Sequence, residues 1–161
     1  MNAELLPQHI SRDILETLIP HKGKMFLLSR ITAHNTGCHT ITAEYDITPS
    51  CIFYDTVLGG VPSWVSFEFI AQSISAITGI QNHEKGIPAR AGFILSLMDF
   101  KAVVPVFKNG TTVRIEACQD YSTGAVYKYT GAVFCSPFEI EPAVTTTVTV
   151  METDTIADYN Q

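Results

Sequence analysis

From Trp64 to about Gly79 the chain reads Trp-Val-Ser-Phe-Glu-Phe-Ile-Ala-Gln-Ser-Ile-Ser-Ala-Ile-Thr-Gly. Wound as a helix, this stretch carries aromatic, aliphatic or small residues on every side, and a helix apolar all round is a buried one. Only Glu68 and Gln72 break the pattern. Being four residues apart, they share one face, one turn from each other. Such a helix has to be enclosed by the rest of the chain.

The flanking sequence supplies the enclosure. Residues 12–18 read as a short helix with Ser11 as N-cap and Pro20 just past its end. A basic loop, His21-Lys22-Gly23-Lys24, follows. Met25 to His34 reads as a strand, Asn35-Thr36-Gly37 as a turn and Cys38 to Thr48 as the hairpin partner. In that partner Ile41, Ala43, Tyr45 and Ile47 alternate with polar residues, which is strand periodicity. The loop from Pro49 to Pro62 ends at Ser63, placed to cap the central helix. Four further strands are expected, at Phe93–Val104, Thr111–Tyr121, Ala125–Cys135 and Ala143–Glu152. The expectation is an α+β chain, with one long buried central helix wrapped by an antiparallel sheet of about six strands. A single domain spans 1–161, with 1–10 and 153–161 as loose ends.

Apolar residues make up 46% of the chain and charged residues 16%. So lean a charged surface implies that part of it is covered by another subunit. A net charge of −6 argues against nucleic acid as a partner, because no basic stripe exists to neutralise phosphates. The acidic excess sits at the end: residues 109–161 set only Arg114 and Lys128 against Glu116, Asp120, Glu139, Glu141, Glu152, Asp154 and Asp158. No apolar run approaches the roughly 20 residues that span a bilayer, and Met1 to His9 does not resemble a secretory signal. A cytoplasmic location is expected, with no membrane partner. Cys38, Cys51, Cys118 and Cys135 are scattered without metal or redox spacing, and the histidines form no ligand motif. No metal is expected, and the thiols are expected to be reduced. His34, His39 and His83 read as surface residues.

Glu68 is the strongest chemical signal. A carboxylate on a buried helix is costly unless it is paired, hydrogen-bonded or protonated, and a proton held there is what a general acid needs. The competing reading is a structural carboxylate satisfied by backbone N–H groups or a basic side chain.

Ile19-Pro20-His21-Lys22 with Met25-Phe26-Leu27-Leu28-Ser29-Arg30-Ile31 resembles the opening of FabZ-type 3-hydroxyacyl-acyl-carrier-protein dehydratases. Pro62 with Glu68-Phe69-Ile70-Ala71-Gln72 resembles their central helix. The match is closer to the ApeP-like dehydratases of aryl polyene gene clusters, through Val61-Pro62-Ser63-Trp64, Ala91-Gly92-Phe93-Ile94-Leu95 and Val104-Pro105-Val106-Phe107. The likeness runs in order from about residue 12 to 150. It implies a hotdog fold and a hydro-lyase acting in fatty-acid or aryl-polyene-type biosynthesis. Such an enzyme converts a 3-hydroxyacyl thioester to a trans-2-enoyl thioester, with no cofactor beyond the phosphopantetheine of the acyl carrier protein. It implies a homodimer, or a heterodimer with another hotdog subunit.

In FabZ-type enzymes a histidine removes the C2 proton and the helix carboxylate of the partner subunit protonates the departing hydroxyl. Backbone N–H groups at the helix start polarise the carbonyl. Glu68 corresponds to the carboxylate, and the amide of Ser63 or a neighbour to the polarising donor. Pro62, Ser63, Trp64 and Gln72 are the expected substrate contacts, with Trp64 a core residue or a wall of the acyl tunnel. The histidine's family position is occupied by Tyr54, followed by Asp55. Either the base has moved to His21, Tyr54 or Asp55, or the chain has lost catalysis and serves as a partner subunit. A hotdog thioesterase in which Glu68 activates water is a further alternative. Lys22, Lys24 and Arg90 are the candidate patch for an acidic carrier protein, with Lys101 and Lys108 as further cations.

Overall fold

A computed structural model describes residues 4–153. Strand β1 (Ile10–Ser11) runs into helix α1 (Arg12–Leu18), and a 3-10 turn (Gly23–Met25) leads to β2 (Arg30–Asn35) and β3 (Thr40–Asp46). Short β4 (Gly60–Pro62) and a 3-10 turn (Ser63–Val65) open the long helix α2 (Ser66–Glu84). After it come β5 (Ala91–Ala102), β6 (Val106–Lys108), β7 (Thr112–Thr123), β8 (Val126–Phe134) and β9 (Val144–Thr153). The main sheet has seven strands in the order β1-β2-β3-β7-β8-β9-β5, all paired antiparallel, and β4 and β6 form a separate two-stranded ladder. The expected six strands thus become seven, because residues at the chain's start add β1.

The sheet curls around α2. Ile41, Ala43, Tyr45 and Ile47 turn inward from β3 and the segment after it, with Val113, Ile115 and Ala117 from β7 beside them. Against them α2 lays Phe69, Ile70, Ile74, Ile77 and Ile80, all buried. Two glycines set how closely the layers approach. A Cβ at Gly131 of β8 would lie 2.5 Å from the Ile70 side chain, and one at Gly79 of α2 would lie 2.3 Å from the backbone oxygen of Leu18. Helix α1 therefore rests its last turn directly on α2.

Several expectations are corrected. The strand expected from Met25 starts at Arg30. Phe26, Leu27 and Leu28 are buried but irregular, held by Arg12, whose guanidinium donates to the Leu28 and Phe26 carbonyls and lies 4.4 Å from the centre of the Phe26 ring. Ser63 does not cap α2; a 3-10 turn intervenes and the helix runs on to Glu84. His34 is buried, its ring N–H donating to the Pro7 carbonyl at 2.9 Å, while its backbone N–H donates to Gln8 Oε1. Ile10 is buried as well, so contacts at Pro7, Gln8 and Ile10 hold this segment to the sheet while Leu5 stays exposed. At the other end Thr153 closes β9, and residues 154–161 lie outside the described ones.

Strand β5 ends the sheet, paired with β9 alone. It leaves Phe93, Leu95, Leu97 and Met98 exposed, between 40% and 57%. Two irregularities interrupt its ladder, at Ile94/Ser96 and Met98/Lys101, and the second contains Asp99 at a φ of 53°.

Candidate active site

Three elements bring the chemistry together. Helix α2 presents Glu68, Ala71, Ile74, Ser75 and Thr78 along one stripe. The segment after α1 brings Pro20 and His21 over the start of that stripe, and the first residues of β5 with parts of β8 and β9 form the opposite wall. Between them lies a cavity of about 330 Å³. Its far end holds Arg90, Tyr127, Tyr129 and Glu152.

At the near end His21 Nε2 lies 3.7 Å from Glu68 Oε1, the side chains being 28% and 16% exposed. The imidazole titrates below the ordinary histidine range. Burial is the largest cause, Lys22 adds to it, and Glu68 opposes it. His21 is accordingly neutral at pH 7 and able to accept a proton. Its Nδ1 is buried with no hydrogen-bond partner among the described residues. Gln72, fully buried, donates through Nε2 to Glu68 Oε1 at 2.9 Å and to the Met25 carbonyl at 2.7 Å. Its Oε1 accepts the Leu27 N–H at 2.7 Å.

The structure thus joins His21, Glu68, Gln72 and Arg90, and separates the other candidates. Tyr54 packs half-buried against the core and does not line the cavity. The Asp55 carboxylate accepts the backbone N–H groups of Val57 and Leu58 at 2.8 and 2.9 Å, shaping a turn. Ser63 is buried and its N–H is taken by the Pro105 carbonyl at 3.0 Å, while Pro62 belongs to the β4–β6 ladder. Trp64 faces outward, 54% exposed, edge-on to Phe53 and stacked on Phe67. Lys22 reaches back to the Ile19 and Glu16 carbonyls at the end of α1, whereas Lys24 is exposed. Tyr127 and Tyr129 escaped the sequence reading because β8 carries them as ordinary strand aromatics. Tyr129 is fully buried, and burial pushes its phenol well above the usual range. Among the described residues no group of three or more His, Cys, Asp or Glu is placed to hold a metal ion, and no helix is long and apolar enough to cross a membrane.

A long helix enclosed by a curled antiparallel sheet, with a carboxylate facing a cavity from the helix, defines a hotdog-fold protein. The solved structures agree. The dehydratase heterocomplex ApeI:P from Xenorhabdus doucetiae superposes with a TM-score of 0.78 at 18% identity, over 87% of this chain and 91% of that one. A phenylacetic acid degradation-related protein from Ralstonia eutropha gives 0.55 at 17%, over 75% and 82%. A mutant thioesterase from Pseudomonas aeruginosa gives 0.56 at 10%, over 77% and 80%. No curated protein sequence matches the chain. Residues 14–161 match the ApeP-like family, described as ApeP dehydratase, and the chain belongs to that family.

Proposed function

We propose that the protein removes water from a 3-hydroxyacyl thioester presented on an acyl carrier protein, with His21 as base and Glu68 as acid. The observation that carries this reading is the placement of an imidazole 3.7 Å from a helix carboxylate, both lining one cavity. His21 Nε2 takes the C2 proton, the C2–H electron pair forms the C2=C3 bond, and the C3–O bond breaks as Glu68 delivers its proton to the leaving hydroxyl. The products are the enoyl thioester and water. A proton then passes from His21 back to Glu68, restoring both groups. Both reacting groups would come from one subunit, so the base would have moved from the position of Tyr54 to His21.

Carrier docking is assigned to Lys22 and Lys24, on the exposed loop beside His21, and to Arg90, which lines the cavity. Strand β5 is assigned to a second hotdog subunit, in keeping with the heterocomplex formed by the Xenorhabdus protein. A second reading, in which the chain supports an active partner without turning over substrate itself, draws on Tyr54 at the family's base position. Purified protein incubated with 3-hydroxyacyl carrier protein, alone and with a partner subunit, separates the readings by mass. Loss of one water from the carrier-bound acyl group supports the dehydratase. Release of the free acid points to a thioesterase. Turnover only with the partner present, unaffected by Glu68→Gln in this chain, overturns the His21–Glu68 assignment.

A further inference from the structure

We propose that Gln72 is a positioning residue that holds Glu68 close to His21 without letting the two join, and that it does not contact substrate. The inference rests on the His21–Glu68 reading above. A primary amide has two N–H donors and one carbonyl acceptor. In Gln72 both donors are used, by the Met25 carbonyl and Glu68 Oε1, and the acceptor receives the Leu27 N–H. The orientation of the amide is fixed by these partners. A flipped amide would set NH2 against the Leu27 N–H and oxygen against the Met25 carbonyl. With no exposed surface and no spare donor, Gln72 has nothing to offer a ligand.

Two consequences follow for the acid. Glu68 Oε1 is an acceptor from Gln72, so a proton carried by Glu68 resides on Oε2. The same bond, at 2.9 Å, keeps Oε1 from closing the 3.7 Å gap to His21 Nε2. An ion pair formed across that gap would occupy the base and strip the acid of its proton. Because Met25 and Leu27 belong to the segment that carries His21, one side chain sets the position of both groups. Besides Glu68, the charged group that acts on the imidazole is Lys22 on its own loop, while Arg90, Tyr127, Tyr129 and Glu152 line the same cavity.

The test follows the His21 imidazole by NMR through a pH titration of the intact protein, in wild type and Gln72→Leu, with turnover measured alongside. Release of Glu68 lets it pair with His21, so the midpoint should rise by about one pH unit, at the low end of what a near opposite charge does. Turnover per folded molecule should fall at least about tenfold in kcat with KM little changed. A lowered Tm with an unmoved midpoint and wild-type kcat would overturn the proposal, as would a raised KM at constant kcat, which marks a substrate contact. Should Gln72→Leu not fold, the wild-type protein still decides. The Gln72 side-chain amide protons should exchange slowly with water and shift on Glu68→Gln. Fast exchange, or no response, would refute the assignment. If the wild type turns over no 3-hydroxyacyl carrier protein, the proposed reaction fails while titration and exchange still judge Gln72.

Discussion

Glu68→Gln keeps the shape of the side chain and removes its transferable proton. Turnover should drop by about a hundredfold to ten-thousandfold, with a melting temperature close to wild type, as read by single-turnover kinetics and thermal denaturation. The pH dependence follows from His21. As a base it works when neutral, so kcat/KM should fall on the acid side with a midpoint below the ordinary histidine value, because burial lowers it. The same shift affects stability. Below about pH 6.5 the unfolded chain takes up a proton that folded His21 resists, so stability falls with pH down to the folded midpoint and then levels. His21→Gln should flatten that part of a stability-versus-pH curve measured by denaturant titration. Glu68 and Gln72 were legible because they are the only strongly polar interruptions of the apolar stretch from Trp64 to Gly79. The His21 partnership was not, since 47 residues separate Met25 from the Gln72 amide that anchors its loop, and no local pattern records that contact.

At the scale of elements, α1 is the strut that carries His21. Its last turn touches α2 where Gly79 has no side chain, and the atom a Cβ would strike is backbone. Gly79→Ala should therefore push the helices apart, costing about 1–3 kcal/mol in a denaturant titration. Turnover should fall as well, because the Pro20–His21 segment moves with α1. Gly131→Ala meets the buried Ile70 side chain instead, whose branched Cγ atoms have little freedom in a helix, so it should also destabilise, with a slight effect on turnover because it lies away from the Pro20–His21 segment. The long strands and both helices were readable from periodicity and from the positions of Pro20 and of the apolar run after Pro62, whereas neither Ser11 nor Ser63 gives a side-chain cap. Residues 25–29 were misread as strand because an apolar run looks alike in a strand and in irregular chain buried by others. What decides between them is the Gln72 and Arg12 side chains that take up the backbone groups at Met25, Phe26, Leu27 and Leu28. The β4–β6 ladder is too short to leave a period.

The whole molecule presents one flank that is unlike the rest. Strand β5 ends the sheet with exposed Phe93, Leu95, Leu97 and Met98, and apolar patches of this kind are covered in the functional assembly. Leu97→Lys should shift sedimentation at micromolar concentration from dimer towards monomer, with the described fold intact by circular dichroism. Clean monomer in the unaltered protein, with and without a second hotdog subunit, would remove the shared-edge assignment. An edge like this carries a hazard, since a long flat strand can recruit copy after copy. The two breaks in the β5 ladder, with Asp99 in the left-handed region and Lys101 beside it, bend the strand and punctuate its hydrogen-bonding groups. A straight foreign strand therefore cannot zip along its full length. An edge so interrupted disfavours open-ended pairing, leaving the flank to side-chain contact more than to an unbroken run of backbone hydrogen bonds.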